Sequence, residues 1–144
     1  MKIGVASDHA GFEYKGKIAA LLKKKGHEVI DYGTYSTESC DYSDFAHSLG
    51  TAIDNGDVEL GVAFCGTGNG MAITLNKHQK VRAALCWGTE IARLAKAHNN
   101  ANVIVMPARF ISYQMVTSIV NKWLETEFEG GRHERRIEKI PLCR

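Results

Sequence analysis

The chain has 144 residues, 44% of them hydrophobic and 24% charged, with only two prolines, the profile of one compact domain spanning residues 1–144. A chain of about 150 residues buries roughly 68–70% of its unfolded surface, so the core needs neither disulfides nor a structural metal. Eighteen Lys and Arg against 16 Asp and Glu leave a formal net charge of +2, too small to mark a nucleic-acid binder. No apolar run approaches the ~20 residues of a membrane span. The start MKIGVASDHAGF has no long apolar segment with a small-residue cleavage site, so a cytoplasmic protein with reduced thiols is expected. Cys40, Cys65, Cys86 and Cys143 form no CxxC pair and have no ligand-like histidine spacing nearby, so no structural zinc site is expected; no cofactor is expected either.

Short β-branched runs alternate with longer amphipathic stretches, and no two strand patterns are joined by a tight hairpin turn. Lys2 to Ala6 reads as the first strand, leading through Ser7-Asp8-His9-Ala10-Gly11 into a helix from Phe12 to Lys25 that Gly26 stops. Glu28 to Tyr32 is a second strand. A polar loop from Gly33 to Asp41 precedes a helix from about Ser43 to Asn55. Leu60 to Phe64 is the most apolar strand, closed by Cys65, and Gly66-Thr67-Gly68-Asn69-Gly70 opens a helix to about Asn76. Val81 to Cys86, Thr89 to Ala97, Val103 to Met106 and Ser112 to Glu125 follow as strand, helix, strand and helix. The expected fold is α/β: a three-layer αβα sandwich on a five-stranded parallel sheet, Rossmann- or flavodoxin-like, with a basic C-terminal tail. In such sheets ligands bind beyond the carboxyl ends of the strands at a switch point. The loops richest in reactive groups follow the first and third strands, which become neighbours in the order 2-1-3-4-5. That order is the expectation.

The run Cys65-Gly66-Thr67-Gly68-Asn69-Gly70 places a thiol at the end of a buried strand, before glycines whose backbone N–H groups can converge on an anion. The positive end of a following helix favours the thiolate. A plainer reading, a small buried thiol before an ordinary turn, is weakened by three alternating glycines. Met71 stands where GxGxxG would need glycine and where a phosphatase loop would need arginine, which excludes both. Asp8 and His9 supply a carboxylate and an imidazole for hydroxyls or phosphate, or else a cap for the first helix. His98 beside Asn99 can act as an acid or base with an amide next to it, or can merely complete a helix C-terminus. Arg132 and Arg136, four apart, share a face if the tail is helical and can grip a phosphate together. Arg109, just past the fifth strand, is a further phosphate donor on the ligand face. His27, His47 and His78 read as surface or structural.

Taken together, Ser7-Asp8-His9-Ala10-Gly11-Phe12, Asp31-Tyr32-Gly33-Thr34, Cys65 to Gly70, Arg82-Ala83-Ala84, His98-Asn99-Asn100-Ala101-Asn102 and Glu129 to Arg136 resemble the type B ribose-5-phosphate isomerase family. That family also includes galactose-6-phosphate and allose-6-phosphate isomerases. The resemblance implies a metal-free aldose to ketose phosphate isomerase of the pentose phosphate type, working through a cis-enediolate. It implies a homodimer, or a tetramer built from it, with each active site shared between subunits. Cys65 matches the base moving a proton between C2 and C1, and the N–H groups of Gly66 to Gly70 match the enediolate site. His98 matches the ring-opening group, assisted by Asp8 or Thr67. His9, Arg109, Arg132 and Arg136 match phosphate ligands, and Asn99 a sugar-hydroxyl ligand. Ser43 and the run Ala72 to Lys77 depart from the common pattern, which leaves six-carbon sugar 6-phosphates open as the alternative substrate. A non-catalytic sugar-phosphate sensor would not need Cys65 and His98 together, and a flavin carrier would need an aromatic-rich phosphate loop after the first strand.

Overall fold

The computed structural model describes residues 1–142; Cys143 lies outside them. The strands are β1 (Lys2–Ser7), β2 (Glu28–Asp31), β3 (Leu60–Cys65), β4 (Ala83–Leu85) and β5 (Val103–Pro107). The helices are α1 (Phe12–Lys24), α2 (Tyr42–Asn55), α3 (Asn69–Leu75), α4 (Thr89–Asn99), α5 (Tyr113–Glu125) and α6 (Arg132–Glu138). Most of these bounds lie within a residue or two of the sequence reading. α1 ends where expected, with Gly26 at φ 95° turning the chain toward β2. No helix among the described residues is long and apolar enough to cross a membrane.

All pairings in the five-stranded sheet are parallel. Side chains alternate between its two faces, as the period of two requires. Ile3, Val5, Val62, Phe64, Ile104 and Met106 pack on one side with Ile18 and Leu22 of α1, Ala92 and Ala95 of α4, and Ile119 and Trp123 of α5. Ala6, Ala63, Cys65, Val103 and Val105 pack on the other with Leu49 and Ile53 of α2 and Met71 and Leu75 of α3. These are the three expected layers.

The strand order corrects the expectation: it is β2-β1-β3-β5-β4, not 2-1-3-4-5. The reason lies in burial. Every residue of β5 is buried, as a strand covered by neighbours and by helices on both faces must be. β4 has three residues, all half-buried, and a short strand of that kind suits the edge. Right-handed crossovers then assign the helices. The chain steps outward from β3 to β4 with α3 on the α2 side, then steps back to β5 with α4 on the α1 side. The switch point between β1 and β3 is retained, with Ile3 opposite Leu60 and Ser7 opposite Phe64.

Two polar anchors fix the loops around this sheet. Lys15, 1% exposed, donates from Nζ to Asp31 Oδ1 at 2.7 Å and to the Thr34 carbonyl. Thr34 N–H in turn donates to the Ser7 carbonyl at 2.8 Å, so the loop after β2 is sewn to the end of β1. Trp123, fully buried, donates from Nε1 to the Ala101 carbonyl at 3.0 Å and ties α5 to the turn between α4 and β5. Trp123→Ala should destabilise the fold by about 3–5 kcal/mol, because a large cavity and an unpartnered carbonyl replace it. Urea unfolding followed by circular dichroism measures the loss.

Candidate functional site

At the carboxyl end of the sheet, Asp8 follows β1 and is buried, with its Oδ1 accepting from Ala10 N at 2.9 Å and Gly11 N at 3.2 Å. The capping alternative for this residue therefore holds, since the carboxylate shapes the short turn His9–Gly11 that precedes α1. Gly11 is required here, because a Cβ would lie 2.4 Å from Cβ of Phe64. His9 leaves that turn toward the loop after β2, where its Nδ1 accepts from Cys40 N at 3.3 Å. His9 lines a cleft of about 330 Å³ with Ala10, Glu13, Tyr14, Thr37 and Ala108.

Cys65 ends β3 at 4% exposure, directly opposite Pro107 of β5. Its carbonyl accepts from Ala108 N at 2.9 Å, and the Gly66 carbonyl accepts from Arg109 N at 3.1 Å, so the two strand ends are pinned together. Arg109 is exposed and lies over Gly66, where a built Cβ would meet its guanidinium Nη1 at 3.4 Å. The loop needs glycine at position 68. Gly68 has φ 79° and no room for a Cβ, with Cδ1 of Leu85 at 2.3 Å; a Cβ at Gly70 would strike the Tyr42 ring at 2.5 Å. On either side of Gly68, Thr67 and Asn69 are exposed, and Thr67 Oγ1 accepts from Asn69 N at 3.2 Å. Asp8, His9, Cys65, Gly66, Thr67, Gly68, Asn69, Gly70 and Arg109 thus form one constellation.

The remaining predicted residues lie elsewhere. His98 and Asn99 close α4 and precede β5, whose first residue Val103 pairs with Gly61, whereas Cys65 pairs with Pro107. Four residues of strand separate the two levels, about 13 Å at ~3.3 Å per residue. His98 therefore belongs to the amino end of the sheet and Cys65 to the carboxyl end. One chain does not bring them together.

That second end is built by the tail. Gly130 and Gly131, at φ 70° and 56°, turn the chain after Glu129 into α6, which packs against α4. The tail is thus helical from Arg132, and Arg132 and Arg136 are exposed on it one turn apart. His133, 8% exposed, stacks on His98 with ring centroids 4.2 Å apart and planes 9° from parallel. Glu129 Oε1 lies 3.7 Å from Nε2 of each ring. Desolvation, then the charges of His98 and Arg132, hold the His133 imidazole below its ordinary pKa. Behind His98, Asn100 takes a left-handed φ of 44°, and its carbonyl accepts from Arg82 Nε at 3.0 Å. Arg82 N donates to Asn102 Oδ1 at 2.8 Å. Arg82 and Asn102 are therefore braces for the His98 turn.

The sequence reading gave no role to Glu129 or His133. Their spacing of four on one helix-entry segment was visible, but the stack on His98 depends on the two-glycine turn. His47 and His78 are structural, as expected: His47 Nδ1 and His78 Nε2 share a hydrogen bond of 2.8 Å, and His78 Nδ1 lies 3.2 Å from Asp54.

A family model described as Ribose/Galactose Isomerase matches residues 3–140. The chain belongs to the ribose/galactose isomerase family. Ribose-5-phosphate isomerase B of Escherichia coli is 40% identical over 139 residues, covering 96% of this chain and 93% of that protein. The structure of a ribose 5-phosphate isomerase from Thermotoga maritima superposes with a TM-score of 0.94 at 50% identity, covering 97% of each chain. Ribose-5-phosphate isomerase B from Mycoplasma genitalium, solved with bound ribulose-5-phosphate, gives a TM-score of 0.93 at 41% identity over 96% of this chain and 93% of that one. Membership in the ribose/galactose isomerase family makes the chain a sugar-phosphate isomerase.

Of the described thiols, Cys86 is the inert one, fully buried, with burial pushing its pKa up to about 12. In native protein at pH 8 it should stay unlabelled by iodoacetamide and become labelled in urea; peptide mass mapping reads the difference.

Proposed function

We propose that the chain interconverts ribose 5-phosphate and ribulose 5-phosphate, with Cys65 as the base and each active site shared between two copies of the chain. The observation that carries the reading is the thiol at the β3 terminus beside the glycine loop, at the switch point it shares with Asp8 and His9. A relative of 41% identity was solved with ribulose-5-phosphate bound, which supports the substrate class.

The chemistry requires a base and an anion site, because a proton alpha to a carbonyl is only weakly acidic. In the linear aldose the Cys65 thiolate takes the C2 proton. The C2 electrons form the C1–C2 double bond, and the C1 carbonyl electrons move onto O1. Backbone N–H groups of Gly66 to Gly70 stabilise that enediolate oxygen, with the hydroxyl of Thr67 beside them. The thiol then returns the proton to C1, the hydroxyl proton at O2 passes to O1, and the carbonyl forms at C2. Nothing is consumed and no redox partner is needed. Asp8, already committed as a cap through Oδ1, assists through its remaining oxygen.

Ring opening must precede this step, and His98 is the group proposed for it, moving the anomeric hydroxyl proton. His98 and Cys65 can act on one sugar only if they come from different subunits, since they lie at opposite ends of the sheet. In the proposed dimer, one subunit supplies Cys65, Asp8, His9, the glycine loop and Arg109. Its partner supplies a second copy of His98, Asn99, Arg132 and Arg136, with Asn99 on a sugar hydroxyl and the arginines on the phosphate. A twofold axis makes two such sites per dimer.

A coupled assay without added metal should show turnover of ribose 5-phosphate above that of allose 6-phosphate and galactose 6-phosphate; preference for either six-carbon sugar would overturn the substrate assignment. In the same assay Cys65→Ala should lower kcat by about 10²–10⁴-fold or more and leave KM within a few-fold, because the base is lost and the phosphate contacts are not. Cys40→Ser and Cys86→Ser should keep most of the activity.

Sharing of the site makes a separate prediction. Cys65→Ala and Arg136→Ala subunits, each inactive alone, should regain activity when refolded together, because one of the two sites in the heterodimer then carries neither substitution. Heterodimers that form and stay inactive would place both residues in the same subunit's site.

A further inference from the structure

One buried charge has no part in the chemistry proposed for Cys65 and His98. Lys15 lies on α1 at 1% exposure, where an apolar side chain would fill the same core without the cost of burying an ammonium. Its Nζ donates to Asp31 Oδ1 at 2.7 Å and to the Thr34 carbonyl, and it sits 5.4 Å from the ring centroids of Phe12 and of Tyr35. Three of these partners, Asp31, Thr34 and Tyr35, belong to the end of β2 and the loop after it. The charge serves that loop.

The loop in turn reaches the site. Tyr35 to Ser39 are exposed, so their course is set by polar contacts at the root of the loop. Gly33 N donates to Asp31 Oδ1 at 2.8 Å, and the Tyr35 hydroxyl donates to the Asp31 carbonyl at 3.1 Å. Ser7 N donates to the Gly33 carbonyl and Thr34 N to the Ser7 carbonyl, both at 2.8 Å. Beyond the exposed stretch, Cys40 N donates to His9 Nδ1 at 3.3 Å. A ring nitrogen that accepts carries no proton, so the neutral His9 ring holds its hydrogen on Nε2. We propose that Lys15 is a positioning residue: through Asp31, Thr34 and the loop to Cys40 it fixes the His9 ring and its Nε2–H tautomer. The donor at position 40 is main chain, so no particular side chain is needed there.

The consequence for the reaction rests on the proposed role of His9 as a phosphate ligand. A phosphate oxygen is an acceptor, and with Nδ1 committed to Cys40 the neutral ring offers it the Nε2–H. The opposite tautomer turns a lone pair toward the anion. Lys15 therefore acts on substrate binding without touching substrate, and leaves the proton transfer at Cys65 alone.

The test reads the ring directly. In protein labelled with nitrogen-15 histidine, His9 is assigned by the signals lost in His9→Gln, and the ring couplings at alkaline pH report its tautomer. The wild type should show Nε2–H; Nδ1–H there overturns the proposal without any Lys15 variant. Lys15→Met, and Asp31→Asn at an exposed residue that leaves the core untouched, should each give a mixture of tautomers. Circular dichroism verifies the fold, and Asp31→Asn decides if Lys15→Met does not fold. In steady-state assays Lys15→Met should raise KM for ribose 5-phosphate and the inhibition constant of inorganic phosphate by about tenfold each, with kcat within a few-fold. In a His9→Gln background the same substitution should raise neither further, because no imidazole remains to be positioned. A full additional tenfold in that background means a general structural role and overturns the proposal, as does a wild-type tautomer in both anchor variants. A shifted tautomer together with unchanged phosphate inhibition in His9→Gln would leave the positioning of the ring standing and overturn the phosphate role of His9.

Discussion

Everything about the site depends on the polarity of a parallel sheet. Because all five strands run the same way, every loop leaving a strand lies at one end and every turn entering a strand lies at the other. Asp8, Cys65 and Arg109 leave strands. His98 and Asn99 enter one. No repacking of side chains within the chain removes that separation, which is set by the length of β5 and its register on β3. The two groups can serve one substrate only by the meeting of two chains, so in the proposed dimer activity depends on assembly.

Each end is held rigid by a different device. The carboxyl end uses close backbone approach. Ala108 and Arg109 bond to the carbonyls of Cys65 and Gly66, and glycine at positions 68 and 70 admits Leu85 and Tyr42 where a side chain would collide. The amino end uses buried polar bridges. Arg82 is half-buried, burial lowers its pKa, and its guanidinium is satisfied by the carbonyl of the left-handed residue Asn100. Trp123 takes the next carbonyl, that of Ala101. An unsatisfied carbonyl in such a place would be costly, so these bridges fix the turn that presents His98. Loops carry the reactive groups, and the scaffold holds the loops.

Much of this was legible in the sequence. Short β-branched runs between longer amphipathic stretches predicted the strands, and Cys65 with its glycines marked the end of the most apolar one. The position of β5 was not obtained, because strand order is a long-range property and nothing local ties Val103 to Gly61. A signal was nonetheless present. Val103 to Met106 is apolar on both faces and Ala83 to Leu85 is short, which favours the interior for the first and the edge for the second. The stack of His133 on His98 was hidden for another reason. It depends on two successive positive φ angles, which glycine permits and does not dictate.

The same polarity argument gives the tail its meaning. α6 has seven residues, too few to be stable as an isolated helix in water, and Arg132, Arg135 and Arg136 repel one another along it. What keeps it folded is its contact with α4, and the buried member of that contact is His133 lying on His98. Stacking therefore does two things at once. It secures a short basic helix, and it fixes the plane of the imidazole on which ring opening depends in the proposed mechanism. In that mechanism a tail that left α4 would take Arg132 and Arg136 away from the phosphate and expose one face of His98, so phosphate binding and ring opening would be coupled through a single pair of rings.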